Sequence, residues 1–283
     1  MQLRVQHNGR ELVGVLAEAI DLSRPVRVGG GTSAFGLGHA AAEPVDIGGG
    51  RRLATREGGS VNCFDLTCNA HGHGTHTESV RHITDDGPNV DAVAPIGWMV
   101  ARVVWLRPVP LRRSGESYLG SCDKSDKIVS GAALLAATGG LDGIDALVIG
   151  TEPYHRHEAV DFSGKNPAYL SAEAAAVIAA SDVQHLVVDL PSIDREDDGG
   201  TTPNHRAFWG LKKGERASAT ASHPQRTITE LVCLPADVEA GIYALSLQVA
   251  PIASDAAPSR PVLVPLRPAS SSASDSSGQG SSM

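Results

Sequence analysis

Residues 69–85 read NAHGHGTHTESVRHITD, the densest histidine segment of this 283-residue chain. The segment contains Glu78 and four of the eleven histidines of the protein, which are His71, His73, His76 and His82. Imidazole and carboxylate groups together are the ligands of zinc, manganese and iron sites. Because four histidines and a carboxylate cluster here, the segment predicts a metal site rather than a set of solvated loop residues.

The spacing of these residues limits how they can share one ion. In an extended segment, side chains alternate between two faces, so His76, Glu78 and His82 project to one side. The other two histidines then project to the opposite side, unless a neighbouring glycine turns the chain. A metal held by His71 together with His76 and Glu78 requires such a turn.

Outside this segment, short runs rich in Val, Ile and Leu predict β-strands. These runs are Met99–Leu106, Ala146–Ile149, His185–Leu190, Ile228–Leu234 and Ile242–Val249. Ser130–Ala137 and Ser171–Ala180 are predicted helices, since each begins with a serine that can cap its first turn. Strands outnumber helices and the two types are interspersed, which favours an α/β fold with a mixed sheet.

The composition is that of a globular protein with a sizeable core, with 41 % hydrophobic and 20 % charged residues. A net charge of -8 without a basic stripe argues against nucleic-acid partners and anionic membrane surfaces. The N-terminal sequence MQLRVQHNGRELVGV lacks a secretory signal pattern, and no apolar stretch approaches the roughly 20 residues of a membrane span. We therefore expect a cytoplasmic protein that acts on a small molecule.

The C-terminal segment differs in composition from the rest of the chain. Residues 269–283 contain eight serines and almost no side chain that could pack in a core. Such a segment cannot bury enough apolar surface to offset the entropy of ordering. We predict one ordered domain over residues 1–266 and a disordered tail over residues 267–283.

The four cysteines allow an alternative zinc site. Cys63 and Cys68 precede the histidine segment, and with His71 and His73 they would supply four ligands. Their spacing is looser than that of a usual zinc finger, and four scattered cysteines do not form a disulfide framework. The histidine and glutamate site is therefore the favoured interpretation.

The segment resembles the signature of the cyclase family, which includes bacterial kynurenine formamidases and isatin hydrolases. The family signature is His-x-Gly-Thr-His-x-Asp-x-Pro-x-His, and Gly74-Thr75-His76, Glu78 and His82 fall in register with it. Further matches follow the same order along the chain. They are Asp21–Pro25 (DLSRP), Leu186–Arg195 (LVVDLPSIDR), His205 in HRAFW, Glu230 in TITELV, and the closing stretches IYALSLQVAPI and PSRPVLV.

The resemblance implies a role for each matching residue. His76, Glu78, His205 and Glu230 correspond to metal ligands of the family, and His82 corresponds to its general acid/base. The implied cofactor is a divalent metal, Zn or Mn, as one or two ions. The implied fold is a single domain of the swivelling β/β/α type that assembles as a homodimer or homotetramer.

Three positions depart from the family signature. Gly72 stands where the first histidine is expected, so the resemblance implies that His71 is the displaced ligand, with His73 as the alternative. Glu78 replaces the signature aspartate, and Val80 replaces its proline. These departures affect the metal count and the substrate more than the class of reaction.

The implied reaction is hydrolysis of a C–N bond, with a metal-bound hydroxide as nucleophile and His82 transferring the proton. The best-matching activity is that of an arylformamidase, similar to kynurenine formamidase. Isatin-type lactam hydrolysis and a biosynthetic cyclase or dehydratase reaction are the alternatives within the family. A non-catalytic metal-binding scaffold is the alternative from another class.

An aromatic substrate requires an apolar or stacking wall. Phe35 lies where the family places an aromatic residue against its substrate, and Phe208 follows the predicted ligand His205. Both are predicted substrate-binding residues, although core packing explains buried aromatic residues equally well.

Overall fold

A computed structural model of the protein describes residues 1–151 and 159–269. Its strands are β1 (Gln2–His7), β2 (Arg10–Val15), β3 (Ile20–Asp21), β4 (Ala41–Pro44), β5 (Phe64–Thr67), β6 (His76–Glu78), β7 (Met99–Leu106), β8 (Val109–Pro110), β9 (Lys127–Val129), β10 (Ala146–Thr151), β11 (Tyr169–Leu170), β12 (His185–Val188), β13 (Thr227–Glu230), β14 (Gly241–Ser246), β15 (Ala256–Pro258), β16 (Val262–Pro265) and β17 (Arg267–Pro268). Its α-helices are α1 (Ala70–His73), α2 (Val90–Val93), α3 (Leu111–Ser114), α4 (Gly131–Thr138), α5 (Ala172–Ala179) and α6 (Pro203–Trp209). Short 3-10 helices occur at Leu16–Glu18, Thr55–Glu57, Val80–Ile83 and Ser218–Thr220.

A nine-stranded sheet with the order β15-β6-β13-β12-β10-β7-β14-β16-β3 forms the centre of the molecule. Strands β7, β10, β12 and β13 pair in parallel, whereas the strands on either side of them pair antiparallel. Every residue of β10 is buried, as expected for a strand with both faces covered. The predicted α/β fold with a mixed sheet is confirmed.

The five predicted strands all occur, but three end earlier than predicted. Strand β13 ends at Glu230 because Leu231 adopts a left-handed backbone conformation with a φ of 57°. Strands β12 and β14 end at Val188 and Ser246. Apolar residues continue beyond these ends, since the chain remains buried after it leaves the sheet; Leu190, Val232 and Leu234 are examples.

Helices α4, α5 and α6 cover one face of the central sheet and form the largest core cluster with it. Both predicted helices occur within a residue of their expected bounds. The hydroxyl of Ser130 accepts a hydrogen bond from Ala133 N at 3.2 Å, and that of Ser171 accepts one from Ala174 N at 2.9 Å. Gly139 ends α4 in a left-handed conformation, as its position predicts.

Strand β6 carries part of the histidine segment into the sheet. It lies between β13 and β15, where His76 is paired with Glu230 and Glu78 is paired with Ile228. The chain enters β6 through Gly74, where a Cβ atom would lie only 2.7 Å from the carbonyl oxygen of Arg24. Glycine is therefore required for this close approach of two backbone segments.

Helix α6 is absent from the sequence-based prediction, and its N-terminus explains why. Thr202, at the cap position, has a left-handed backbone and no capping hydrogen bond from its side chain. Asp194 caps the helix instead, because its carboxylate accepts hydrogen bonds from Asn204 N at 2.9 Å and His205 N at 3.1 Å. A cap supplied by a residue outside the helix leaves no local sequence signal.

A small three-stranded sheet, β1-β2-β17, packs on the β14 and β16 end of the central sheet. Strand β17 extends the ordered chain past Leu266, the predicted end of the domain, because Arg267 and Pro268 pair with Val13 and Leu12. The small sheet thus includes residues 267 and 268, while the predicted domain boundary stays a prediction. The predicted tail from residue 270 onward lies outside the described residues.

Asp194 provides a test of how α6 is held. Its carboxylate also accepts hydrogen bonds from the Tyr118 hydroxyl and from Nδ1 of His205. We expect Asp194→Ala to lower the free energy of unfolding by about 3 kcal/mol, because several buried donors lose their acceptor. Urea denaturation followed by circular dichroism measures this change.

Asp197→Ala is the matched control, since Asp197 lies exposed in the same loop. It should change the free energy of unfolding by no more than about 0.5 kcal/mol. Equal stabilities of the two variants would contradict the assigned capping role.

Candidate metal centre

Three imidazole rings surround the carboxylate of Glu78, which lies in β6 and is fully buried. Nδ1 of His71 is 3.2 Å from Oε2 of Glu78, and Nε2 of His82 is 3.8 Å from the same oxygen. Nε2 of His205 is 3.0 Å from the other oxygen, Oε1. These histidines belong to α1, a 3-10 helix and α6, so separate parts of the fold converge on one carboxylate.

His76 and Glu230 lie beside this group on the adjacent strands β6 and β13. Nε2 of His76 is 3.6 Å from Oε2 of Glu230, and Nε2 of His205 is 3.7 Å from Oε1 of the same glutamate. Oε1 of Glu230 also accepts a hydrogen bond from Ile193 N at 2.8 Å. The structure therefore brings five predicted ligands and the predicted acid/base into one cluster.

Several buried atoms of this cluster lack a hydrogen-bond partner. They are Nε2 of His76, Nε2 of His205 and both carboxylate oxygens of Glu78. Buried polar atoms in folded proteins are nearly always hydrogen-bonded, so a cluster of such atoms requires an explanation. A divalent metal ion fits these donors, because imidazole nitrogen and carboxylate oxygen are its usual ligands.

The side chains form three overlapping groups whose potential ligand atoms lie within 4.8 Å of one another. The groups are His71, His76 and Glu78; Glu78, His82 and His205; and His71, His82 and Asp255. Within the described ranges, none of the groups able to hold a metal includes a cysteine. Cys63 and Cys68 are exposed, in agreement with the preference for histidine and glutamate ligands.

The two buried glutamates have opposite pKa shifts. Burial disfavours the ionised form of Glu78, but His82 and His205 outweigh this effect and lower its pKa well below the usual value. Burial and the charge of Glu78 together raise the pKa of Glu230 to about 8. Two ionised carboxylates in one buried space repel each other, so both are ionised together only when a cation lies beside them.

The histidines respond to the same charges. Burial opposes protonation of His71, yet its hydrogen bond to Asp255 and the nearby carboxylate of Glu78 raise its pKa to about 10. Burial and the charge of His71 lower the pKa of His76 to about 3. Metal binding requires neutral imidazoles, so a bound cation would replace the protons that otherwise balance Glu78.

The structure separates the two alternatives for the displaced ligand. His71 faces Glu78, whereas Nδ1 of His73 accepts a hydrogen bond from Asn69 N at 2.9 Å. Nε2 of His73 is buried without a partner, but His73 belongs to none of the three potential metal groups. The geometry thus brings His71, and not His73, into the cluster.

Asp255 is a member of the site that no sequence motif predicts. Its Oδ2 is 2.9 Å from Nε2 of His71 and 3.4 Å from Nδ1 of His82. Asp255 immediately precedes β15, which pairs with β6, and this pairing brings the carboxylate to the histidines. No spacing rule links positions so far apart, so only the sheet topology reveals this residue.

Asp194 also contacts the site, although its position in the sequence does not predict a contact with His205. Its Oδ2 lies 2.6 Å from Nδ1 of His205, which leaves Nε2 directed at Glu78. Carboxylates that bind the second nitrogen of a histidine ligand commonly fix its orientation. Asp194 nevertheless lies within Leu186–Arg195, a stretch that matches a family motif.

The two predicted substrate-binding aromatic residues lie in different environments. Phe208 is 1 % exposed and belongs to the core cluster between the helices and the sheet. Phe35 is 37 % exposed, has a φ of 59°, and lines a shallow cavity with Asn166, Arg195 and Glu196. Phe208 therefore has the surroundings of a core residue, and Phe35 those of a surface residue.

No helix in residues 1–151 or 159–269 is long and apolar enough to span a membrane. This observation concerns helices only and agrees with the absence of a long apolar stretch in the sequence.

Solved structures with a similar fold cover most of the chain. A predicted metal-dependent hydrolase from Bacillus stearothermophilus has 15 % identity and a TM-score of 0.55, with coverage of 87 % of this chain and 97 % of the other. Isatin hydrolase A from Labrenzia aggregata, bound to benzyl benzoate, has 11 % identity and a TM-score of 0.57, with coverage of 87 % and 93 %. At such identities, the likeness concerns the fold.

A third similar structure is an isatin hydrolase bound to the product analogue thioisatinate. It has 12 % identity and a TM-score of 0.52, with coverage of 89 % of this chain and 93 % of the other. No curated protein matches the sequence of the chain.

The sequence profile of the cyclase family matches residues 20–195. This match covers more than half of the chain and includes the histidine segment together with the stretch that leads to Asp194. The family resemblance that the sequence motifs indicate is confirmed, and the chain belongs to the cyclase family.

Proposed function

We propose that the protein is a metal-dependent hydrolase that cleaves the C–N bond of an aryl formamide or a cyclic amide. The observation that carries this proposal is the convergence of His71, His82 and His205 on the buried carboxylate of Glu78. The fold of metal-dependent hydrolases and membership of the cyclase family support the same reaction class.

The proposed metal ligands are the buried members of the cluster and the histidine at its edge. They are His71, His76, Glu78, His205 and Glu230. When bound, one or two Zn or Mn ions supply Lewis-acid chemistry, which lowers the pKa of water and polarises a carbonyl oxygen. The side chains position this chemistry, and the sheet and helices keep them rigid.

His82 is the proposed proton-transfer residue. Its side chain is 29 % exposed, whereas Glu78 is fully buried, so His82 can meet a substrate that enters from solvent. Histidine is the most common general acid/base near neutral pH. In this role, His82 accepts a proton from the attacking water and donates one to the leaving nitrogen.

Asp255 is the proposed positioning residue for this step. Its Oδ2 lies 3.4 Å from Nδ1 of His82, which leaves Nε2 directed towards Glu78. A carboxylate on one ring nitrogen fixes the orientation and tautomer of a histidine. Asp255 also contacts His71 and thus joins a proposed ligand to the acid/base.

Two substrate types agree with these groups. An aryl formamide would release formate and an aryl amine, whereas a cyclic amide would open to an amino acid. The isatin hydrolases among the structural neighbours favour the cyclic amide as the second candidate. Phe35 is the proposed aromatic contact for either substrate, because its side chain is accessible and that of Phe208 is buried.

The first experiment combines metal analysis of the purified protein with a hydrolysis screen of formanilides, isatins and lactones. We expect bound Zn or Mn and turnover of at least one aryl formamide or cyclic amide. Absence of bound metal, together with no gain of activity on addition of Zn or Mn, would falsify the proposal. Stoichiometric metal without turnover of any substrate would favour a non-catalytic scaffold.

A pair of histidine variants separates metal binding from proton transfer. His76→Ala should lose both metal and turnover, because His76 is a buried ligand on β6. His82→Ala should retain metal while kcat falls about 10²–10⁴-fold, the usual contribution of a general acid/base. Metal content is measured by mass spectrometry, and kcat is measured with the best substrate from the screen.

The matched control is His7→Ala, since His7 lies in β1 and belongs to none of the potential metal groups. It should retain both metal and activity. If His82→Ala retained full turnover, the acid/base role would have to be assigned to another residue.

Asp255→Asn tests the positioning role. The change keeps the shape of the side chain but removes its charge, so the hydrogen bonds to His71 and His82 are weakened. We expect kcat to fall about tenfold to hundredfold, as for other residues that orient metal-site histidines. The metal content should stay close to that of the wild type.

Asp237→Asn makes the same chemical change at an exposed position and should leave kcat unchanged. An Asp255→Asn variant with normal kcat and normal metal content would contradict the assigned role.

A further inference from the structure

Two of the proposed metal ligands are held by one short loop, residues 193–195, which lies between β12 and α6. Ile193 N donates a hydrogen bond to Oε1 of Glu230 at 2.8 Å. The carboxylate of Asp194 accepts one from Nδ1 of His205 at 2.6 Å. Because Glu230 and His205 both depend on this support loop, a shift of the loop would displace both ligands together.

The hydroxyl of Tyr118 binds the support loop at two points. Tyr118 lies between α3 and β9, 76 residues before Asp194 in the sequence. Its hydroxyl donates a hydrogen bond to Oδ1 of Asp194 at 2.8 Å and accepts one from Arg195 N at 3.2 Å. Burial and the charge of Asp194 raise the pKa of Tyr118, so the hydroxyl keeps its proton and remains the donor. One hydroxyl thus holds both a side chain and the backbone of the loop.

The other donors to the Asp194 carboxylate all belong to α6. They are Asn204 N at 2.9 Å, His205 N at 3.1 Å and Nδ1 of His205. Since α6 also carries His205, these bonds join Asp194 to the helix but do not fix the pair relative to the rest of the fold. Among the described donors to this carboxylate, the Tyr118 hydroxyl is the one outside α6, so it anchors the carboxylate from another part of the chain.

The surroundings of Tyr118 make this anchor rigid. Tyr118 is 7 % exposed and Asp194 is 5 % exposed, so water has little access to their contact. The ring of Tyr118 packs against that of Tyr169, with 4.7 Å between the centroids, in a cluster that also contains Leu111 and Ile128. A buried hydrogen bond to a charged group is costly to lose, because water does not replace the missing donor.

We propose that Tyr118 is a positioning residue of the candidate metal centre. Its hydroxyl fixes Asp194 and the support loop, and these in turn fix the orientations of His205 and Glu230. The inference rests on the proposed function in one respect, since it takes His205 and Glu230 as metal ligands. It adds a residue that contacts none of the proposed ligands directly and acts on them through the loop.

The variant Tyr118→Phe tests the proposal, because it removes the hydroxyl and keeps the ring. The full-length protein is freed of metal with a chelator and titrated with Co²⁺ in competition with a chromophoric chelator. We expect about threefold to tenfold weaker Co²⁺ binding, less than the roughly 10–100-fold loss for a direct partner of a ligand. The visible absorption of bound Co²⁺ should also change, because it reports the geometry of the ligands.

The matched control is Tyr169→Phe. It removes the hydroxyl of the neighbouring buried tyrosine, which donates a hydrogen bond to another carboxylate, that of Asp126, at 2.9 Å. Asp126 binds the side chain of Arg195 and not the Asp194 carboxylate. The control should therefore bind Co²⁺ with the affinity and spectrum of the wild type. Thermal unfolding of both metal-free variants measures separately how much each hydroxyl contributes to stability.

A loss of affinity confined to Tyr118→Phe, with an altered Co²⁺ spectrum, supports the proposal whether or not a substrate has been found. Wild-type affinity and spectrum in Tyr118→Phe would overturn it, and a lower unfolding temperature would then assign the hydroxyl to stability alone. Equal losses of affinity in the two variants would also overturn it. If the wild type itself bound neither Co²⁺ nor Zn²⁺, both this proposal and the proposed hydrolase function would be overturned, which distinguishes that failure from the other two.

Discussion

Burial of the Glu78 carboxylate is the constraint on which the site depends. An ionised carboxylate without solvent is costly unless cations and hydrogen-bond donors compensate for the lost water. The surrounding imidazoles of His71, His82 and His205 provide this compensation when protonated, and a divalent metal provides it when they are neutral. Since these histidines come from separate elements, the fold must hold each of them rigidly enough to maintain the balance of charge.

The register of β6 determines which side chains reach this buried space. His76 and Glu78 face the site, whereas Thr77 between them faces the other side of the sheet and bonds to the hydroxyls of Thr229 and Ser259. A slip of one residue would exchange the two faces and place a carboxylate among the hydroxyls. The threonine and serine hydrogen bonds therefore fix the register that brings His76 and Glu78 into the candidate metal centre.

The sequence predicts the site far better through residue type than through local structure. Clustered histidines and the family motifs identify the members on β6, and His205 and Glu230 follow from their motif positions. The sequence does not predict Asp255 as a site residue, because only the pairing of β15 with β6 brings it near the histidines. It does not predict helix α6 either, because the cap of this helix is Asp194, a residue outside the helix. Contacts that form only in the tertiary structure produce no periodic pattern and no characteristic spacing in the sequence.

The different positions of His71 and His73 show how a local turn resolves an ambiguity that the spacing of the histidines leaves open. Residues two apart on a helix point about 200° apart, so the short helix α1 directs His71 and His73 to opposite sides. A Cβ atom at Gly72, between them, would lie 2.7 Å from Cδ1 of Leu37 and 3.3 Å from the carbonyl oxygen of Ala34. A side chain at position 72 would therefore require the exposed side chain of Leu37 to rotate and the carbonyl group of Ala34 to shift slightly. Gly72 thus allows the loop that carries Ala34 and Leu37 to pack closely on α1, while His71, the residue before it, faces Glu78.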